Sequence, residues 1–250
     1  MGIPNSQSPA AYVVFGGTGG IGSSLCRRLV SRNARLLIAG RNKDKLRALA
    51  EELNVSWQTL DATRWGDVEA CIDRAAELFG RLDGVANCIG SLLLKPSHST
   101  SQSEWLDTIA TNLTTAFCVV RAGARAMTVA GGSVVLVSSA AARVGLANHE
   151  AIAAAKAGVI GLTLSAAATY APRGIRVNCV APGLVRTPMT ASLTKNESVL
   201  KASLAMHALR RIGDPEDVAA AIHWLLSPEQ SWVTGQVLGV DGGLAAVRPR

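Results

Sequence analysis

One side chain that could take part in chemistry stands near the end of a stretch rich in alanine. Lys156 lies in the sequence HEAIAAAKAG at residues 149–158. His149, Ile152 and Lys156 follow the 3-then-4 spacing of one helical face. Because histidine titrates near neutral pH, His149 is a candidate proton donor. The alternative is a partly exposed histidine at a helix start with no chemical task.

A glycine-rich turn near the N-terminus is a candidate phosphate site. The sequence GGTGGIG occupies residues 16–22, directly after the apolar run AYVVF. Closely spaced glycines between a strand and a helix let the backbone approach a pyrophosphate, and the helix N-terminus offers unpaired N–H groups. The spacing Gly16-x-x-x-Gly20-x-Gly22 differs from the common G-x-G-x-x-G pattern, and a glycine-rich turn without a ligand is the alternative. Its place at the first strand-to-helix turn favours a dinucleotide site.

The end of the second apolar run indicates which dinucleotide would bind. NAD sites usually place a carboxylate there to hold the ribose 2′-hydroxyl. Here Gly40 takes that place and Arg41 follows. A carboxylate would repel a 2′-phosphate, whereas a guanidinium can bind it through two hydrogen bonds. We therefore expect NADP(H) in preference to NAD(H); the alternative is that Arg41 is an ordinary surface arginine.

The elements that must position these residues alternate along the chain. Short, nearly continuous apolar runs are typical of parallel strands buried on both faces, and the segments between them show helical spacing of apolar residues. This alternation predicts an α/β fold of one domain, a Rossmann-like, doubly wound, parallel seven-stranded sheet with helices on both faces. One long helix is expected around 107–127, and 184–212 is the least regular part. The predicted strands are 11–17, 35–40, 56–62, 82–90, 132–140, 174–183 and 234–243.

Composition and charge narrow the classes of partner. The chain has 250 residues, a hydrophobic content of 48% and a formal net charge of +7. Its basic residues form no run of five or more, so we expect no nucleic-acid partner. A solvated surface, or attraction for a phosphorylated cofactor or anionic substrate, explains the charge better. No apolar stretch is expected to reach the ~18 residues of a membrane span, because Arg, Gly or Asn interrupts each one. Five scattered cysteines without a C-x-x-C pair indicate a reducing, cytoplasmic setting and no metal site.

Together these features resemble the short-chain dehydrogenase/reductase family, in the branch of about this length. The resemblance covers residues 12–244 and includes several motifs in family order. They are GGTGGIG (16–22), LDA (60–62), NCIG (87–90), TNL (111–113), VLVSSAA (135–141), NCVAPGLVRTPM (178–189), RIGDPEDVA (211–219) and TGQVLGVDGG (234–243). Phe15 stands where the family usually has threonine.

The resemblance implies roles for individual residues. Ser139, Lys156 and Asn112 match the family's catalytic serine, lysine and asparagine. The serine would hold the carbonyl oxygen, the lysine would bind the nicotinamide ribose, and the asparagine would anchor a water chain toward the lysine. The residues expected to bind the cofactor are Gly16, Thr18, Gly20, Ile21, Arg41, Asn42, Asp61, Ala62, Asn87, Gly90, Lys156, Pro182, Gly183, Val185 and Thr187.

One position departs from the family pattern. The catalytic tyrosine lies four residues before the lysine, and here Ile152 occupies that position, thirteen residues after Ser139. Isoleucine cannot donate a proton to the alkoxide that carbonyl reduction produces. Tyr12 and Tyr170 cannot substitute, because one lies in the first predicted strand and the other ~21 Å along the helix beyond Lys156.

Two hypotheses about function remain at this point. One is an NADP(H)-dependent oxidoreductase acting on a small carbonyl or alcohol substrate, with His149, a bound water or the Ser139–Lys156 pair replacing the tyrosine. The other is a non-catalytic NADP(H)-binding protein, either a cofactor sensor or a silent subunit.

The resemblance also bears on domain organisation and assembly. We expect a flexible tail at 1–10 and one dinucleotide-binding catalytic domain at 11–250, with 186–212 capping the substrate pocket and the loop at 91–100 forming one wall. It also implies a homotetramer or homodimer. The substrate cannot be read from the sequence.

Overall fold

The computed structural model describes residues 9–248 of the chain. Seven strands form one parallel sheet in the order β3-β2-β1-β4-β5-β6-β7. This confirms the predicted doubly wound, Rossmann-like sheet, although most predicted strands are longer than the observed ones. The strands are β1 Ala11–Phe15, β2 Arg35–Gly40, β3 Ser56–Thr59, β4 Gly84–Asn87, β5 Gly132–Val137, β6 Ile175–Pro182 and β7 Val237–Val240.

Helices cover both faces of the sheet. Val13 and Phe15 of β1 join a core with α3, α5 and α6, whereas Tyr12 and Val14 point the other way, toward α1, α2 and α9. The near-continuous apolar runs therefore reflect burial on two sides. The helices are α1 Gly20–Val30, α2 Lys43–Leu53, α3 Trp65–Phe79, α4 Gln102–Ile109, α5 Thr115–Met127, α6 Glu150–Tyr170, α7 Ala191–Thr194, α8 Glu197–Met206 and α9 Pro215–Leu226.

Two segments differ from the expectations drawn from the sequence. The single long helix expected around 107–127 is not regular throughout. A π-helical segment, Ala110–Thr114, interrupts it and connects α4 to α5. The segment thought least regular contains α7 and α8, which are too short to show a clear apolar periodicity. The predicted tail at 1–10 lies outside the described residues except for its last two.

The expectation that no stretch is long and apolar enough to span a membrane was wrong. Among the described residues, Glu150–Arg173 is long and apolar enough, because its alanines and leucines outweigh its few polar residues. It includes α6, which packs against the sheet and buries Ala155, Lys156 and Val159. Core helices of soluble proteins pass the same test, so this segment is accounted for by its place in the fold.

Candidate active site

The cleft that contains most of the predicted site residues lies at the carboxyl edge of the sheet. Parallel strands end together at this edge, so the loops after β1, β2, β4, β5 and β6 meet there. The cavity has a volume of about 440 Å³. The predicted residues that line it are Gly16, Thr18, Gly20, Ile21, Arg41, Asn42, Asp61, Ala62, Gly90, Ser139, Ile152, Lys156, Pro182, Gly183, Val185 and Thr187.

The glycine-rich turn is packed so tightly that side chains are excluded. Gly16 has a φ of +74°, and a Cβ there would lie 2.8 Å from the Cys88 carbonyl carbon. A Cβ at Gly22 would lie 2.2 Å from the Gly16 carbonyl oxygen, and one at Gly20 would lie 2.7 Å from Thr187 Cγ2. The backbone thus comes close to the loop after β4 and to the 187–190 turn, as a dinucleotide cradle requires.

The start of α1 suits a phosphate group. Gly19 is the N-cap and supplies no side-chain hydrogen bond, and the first turn contains no acidic residue. The amide groups at this end therefore have no capping side chain, and the helix dipole adds partial positive charge. These features fit the pyrophosphate of a dinucleotide.

Cationic side chains stand at the end of the cleft where β2 finishes. Arg41 lines it together with Lys45, which the sequence analysis did not single out. The Asn42 side chain accepts a hydrogen bond from the Lys45 amide at 2.9 Å and so caps α2. Lys45 could have been noticed as a second cation four residues beyond Arg41. Two cations, with Gly40 rather than a carboxylate as the last residue of β2, fit a ribose that carries a 2′-phosphate.

Asp61 borders this end from the loop after β3. Its Oδ1 accepts hydrogen bonds from the Thr63 amide at 3.0 Å and the Thr63 hydroxyl at 2.8 Å. These bonds favour the charged carboxylate and lower the pKa of Asp61 below its usual value. Because both bonds turn Oδ1 toward its own loop, Asp61 shapes the loop as well as bordering the cleft.

Lys156 is the buried cation of the cleft. Only 6% of it is exposed, and its Nζ donates a 2.8 Å hydrogen bond to the Val137 carbonyl oxygen. Burial disfavours the charged amine and lowers the pKa of Lys156 to about 8. A Cβ placed on Gly90 would lie 3.5 Å from Nζ, so the loop after β4 passes close to the amine. Lys156 can therefore exchange a proton near neutral pH.

The two serines after β5 have different surroundings. Ser138 donates to the Lys156 carbonyl oxygen at 2.8 Å and thereby ties β5 to α6. The Ser139 oxygen accepts from the Ala141 amide at 3.1 Å, which leaves its hydroxyl hydrogen available to the cleft. Ser139 can therefore donate a hydrogen bond to a substrate oxygen.

Ile152 lines the same cleft, where the family has its tyrosine. It is 3% exposed and one helical turn before Lys156 on α6. Its side chain makes this part of the cleft apolar.

Two of the three predicted asparagines, Asn112 and Asn87, are not in the cleft lining but contact residues beside it. Asn112 is in the π-helical segment and donates to the Thr108 carbonyl and to Ser91 Oγ, both at 2.9 Å. Its Oδ1 accepts from the Ser91 amide at 3.1 Å. Asn87 is 2% exposed and accepts from the Ile89 amide. Both side chains hold the loop after β4 in place.

The structure does not bring His149 to the cleft lining. Because α6 begins at Glu150, His149 is the N-cap, with φ −109° and ψ 10°, and the 3-then-4 spacing does not extend to it. Its Nδ1 lies 2.7 Å from the Ala147 carbonyl oxygen, and the ring is only partly buried. The assignment of His149 as proton donor stays a prediction.

The substrate end of the cleft includes residues that sequence reasoning did not assign individually. Ser91 and Leu92 belong to the loop expected to form a wall, and Met189 and Thr190 belong to the expected cap. Their types are unremarkable in the sequence, and only the chain path beside the cleft reveals them. Among residues 9–248 no group of three His, Cys, Asp or Glu side chains is placed to hold a metal ion.

Comparison with known proteins gives consistent matches over nearly the whole chain. The family model described as Enoyl-(Acyl carrier protein) reductase matches residues 16–245. Cis-4-hydroxycyclohexanecarboxylate dehydrogenase from Sinomonas cyclohexanicum is 41% identical over 241 residues, which are 94% of this chain and 96% of that protein. The 3-oxoacyl-(acyl-carrier-protein) reductase FabG from Chlamydia pneumoniae is 37% identical over 239 residues, 93% of this chain and 95% of that protein.

Solved structures agree with these matches. A short-chain type dehydrogenase/reductase from Mycobacterium ulcerans superposes with a TM-score of 0.93 and 33% identity, covering 98% of this chain and 93% of that one. A variant of actinorhodin polyketide ketoreductase with NADPH gives a TM-score of 0.90 and 29% identity, covering 98% of this chain and 100% of that one.

Proposed function

The chain belongs to the short-chain dehydrogenase/reductase family of oxidoreductases, and on that premise we propose that it transfers hydride between NADP(H) and a carbonyl or alcohol substrate without a catalytic tyrosine. The observation that supports this most is the presence of Ser139 and Lys156 in one cleft with the glycine-rich turn, while Ile152 occupies the tyrosine position. An oxygen-binding hydroxyl and a titratable amine are therefore both available.

NADP(H) fits the residues that line the cleft better than NAD(H). When bound, the nicotinamide supplies or accepts the hydride. The start of α1 would hold the pyrophosphate, Arg41 and Lys45 would bind the 2′-phosphate, and Asp61 and Ala62 would border the adenine. The preference for NADP(H) rests on the two cations and on Gly40 in place of a carboxylate.

We assign the proton to the Ser139–Lys156 pair. The Ser139 hydroxyl hydrogen would bind the substrate oxygen, and Lys156 Nζ would supply the proton, either directly or through a bound water. Below about pH 8 the amine is charged and can donate, while above it the neutral amine can accept during alcohol oxidation. Asn112 holds Ser91 and the loop in front of the lysine. His149 is the alternative donor, and removing its ring tests that alternative.

The relatives suggest which substrates to test. Two are named as 4-hydroxycyclohexanecarboxylate dehydrogenases and others as 3-oxoacyl-carrier-protein reductases. We infer a small carbonyl compound with an apolar ring or chain, because Leu92, Ile152 and Met189 line the cleft. A panel of 4-oxocyclohexanecarboxylate, other cyclic ketones and 3-oxoacyl thioesters covers both groups. We also expect a cytoplasmic homotetramer or homodimer.

A non-catalytic NADP(H)-binding protein is the second candidate. It is favoured by the lack of a hydroxyl at Ile152 and by the position of His149 outside the cleft lining. Under this hypothesis the wild-type protein binds NADPH without turnover, and His149→Ala has no effect on any activity.

The substitution Ile152→Tyr distinguishes the two candidates, with Ala154→Tyr on the exposed side of α6 as the matched control. If the protein is non-catalytic, the restored hydroxyl creates reductase activity where the wild type has none. If it is an oxidoreductase adapted to isoleucine, the wild type already turns over and the larger tyrosine leaves activity within about ten-fold or lowers it. NADPH consumption with the ketone panel is the measurement.

A further inference from the structure

A buried histidine lies behind the cleft. One of its ring nitrogens is hydrogen-bonded to a backbone carbonyl oxygen and the other to a backbone amide. His207 follows the last residue of α8 and is 1% exposed. Its Nδ1 lies 2.7 Å from the Ser203 carbonyl oxygen, and the Leu184 amide donates to its Nε2 at 3.3 Å. A carbonyl oxygen only accepts and an amide N–H only donates. The two partners therefore make Nδ1 the donor and Nε2 the acceptor.

The Leu184 amide belongs to a segment that forms one wall of the cleft. Pro182, Gly183 and Val185, on either side of it, line the cavity. Gly183 lies directly against the imidazole, since a Cβ there would be 2.6 Å from His207 Nε2. The imidazole thus supports the wall from the side away from the cleft.

Two neighbouring hydrogen bonds of this wall join backbone groups, whereas the Val185 carbonyl oxygen accepts from the Thr190 hydroxyl. The Gly183 amide donates to the Val240 carbonyl oxygen at 3.2 Å, and the Leu184 carbonyl oxygen accepts from the Gly213 amide at 2.8 Å. The Leu184 amide differs, because its acceptor is the His207 side chain. One side chain on the capping segment 186–212 therefore fixes an amide in the centre of the wall.

We propose that His207 is a positioning residue for the cofactor, which acts by accepting the Leu184 N–H and holding the backbone of 182–185 against the cleft. The proposal rests on the proposed function, because the wall matters only if NADP(H) binds beside it. Losing this bond would leave the N–H of the half-buried Leu184 without its acceptor and allow the wall to shift.

Two substitutions separate the bonds of the ring. A glutamine can place its amide oxygen near the position of Nε2, so His207→Gln keeps an acceptor for Leu184. An asparagine reaches only the position of Nδ1, so His207→Asn keeps the Ser203 bond and loses the Leu184 bond. Both substitutions remove the ring, so they lower thermal stability by similar amounts if packing alone matters.

Amide hydrogen exchange of Leu184, measured in the cofactor-free protein, tests whether His207 positions the 182–185 backbone. We expect protection in the wild type and in His207→Gln, and exchange at least about ten-fold faster in His207→Asn. The Cys179 amide, bonded to the Gln236 carbonyl oxygen outside the wall, is the internal control and should change little. Equal exchange of Leu184 in the Gln and Asn variants would overturn the proposal.

NADPH affinity, measured by fluorescence titration, tests the consequence. His207→Gln should bind within about three-fold of the wild type, and His207→Asn about ten-fold more weakly, even if the two have the same thermal stability. If the wild type binds NADPH and both variants bind equally well, the proposal fails and the proposed function stands. If the wild type binds no NADPH, both fail.

Discussion

At the scale of single residues, the candidate active site contains a lysine whose partner in the family pattern, a tyrosine, is replaced by isoleucine. In the family pattern the lysine lowers the pKa of a tyrosine hydroxyl that lies beside it. Here Ile152 replaces that hydroxyl with an aliphatic group, and burial lowers the pKa of Lys156 to about 8. The amine itself thus titrates near the pH at which the reaction would run.

Lys156→Met tests the assignment of the proton. We expect kcat for ketone reduction to fall by at least about 100-fold, because methionine fills a similar volume but holds no proton. In the wild type the rate of reduction should decline as pH rises through about 8, because the donating amine is then neutral. Lys201→Met, at an exposed position of α8, is the control. A variant at position 156 that retains its rate and pH profile would exclude Lys156 as the donor.

His149→Ala tests the alternative proton donor. Since the ring binds the Ala147 carbonyl and does not line the cleft, we expect kcat to stay within about two-fold of the wild type. A loss of about 100-fold with unchanged NADPH affinity would instead establish His149 as the donor.

Arg41→Ala tests the choice of cofactor. Removing a guanidinium that binds the 2′-phosphate should weaken NADPH binding about ten-fold and leave NADH binding unchanged. Arg47→Ala, on α2 and outside the cleft lining, should affect neither. Equal losses for both nucleotides at Arg41 would remove the argument for NADP(H) preference.

At the scale of elements, the site depends on turns whose close packing the sequence indicates only in part. The strand–glycine–helix order predicted the glycine-rich turn at 16–22, and the structure places Gly16 against the loop after β4 and Gly20 against Thr187. The π-helical segment and the helix start at Glu150 could not be predicted. Both are set by tertiary packing, and a shift of one residue at the start of α6 decides whether His149 lies on the helical face.

Gly22→Ala tests the cradle. The added Cβ would meet the Gly16 carbonyl oxygen at 2.2 Å, so the turn must open and NADPH affinity should fall by at least about ten-fold. Gly66→Ala is the matched control, because a Cβ there has nothing within 4 Å, and it should leave NADPH affinity unchanged. Normal NADPH affinity in Gly22→Ala would show that the turn does not hold the cofactor.

At the scale of the whole molecule, the fold was predictable and the chemistry was only partly so. Short apolar runs buried on both faces are typical of a parallel sheet. Ser139, Lys156 and the 182–185 wall then lie together at the carboxyl edge of that sheet. The contribution of His207 could not be read from the sequence, because a lone histidine after a short helix gives no sign of its partners.

Burying Lys156 should also cost global stability. Its pKa is about 8 in the fold and 10.5 ordinarily, so between these values the unfolded chain binds more protons and stability rises with pH. Lys156→Met should therefore stabilise the cofactor-free protein at pH 7 by about 1–3 kcal/mol, and this advantage should shrink toward pH 10.5. Urea unfolding at several pH values checks this. If the stability advantage of Lys156→Met grew with pH, burial of the charged Lys156 amine would not be the cause of the cost in stability.

The most direct test of the account is steady-state turnover of the wild-type protein with NADPH and the ketone panel, and with NADP+ and the corresponding alcohols. We predict measurable hydride transfer with at least one pair, abolished in Lys156→Met and retained in His149→Ala. Tight NADPH binding without turnover in either direction, for every member of the panel, would contradict the account and leave a nucleotide-binding protein without catalysis.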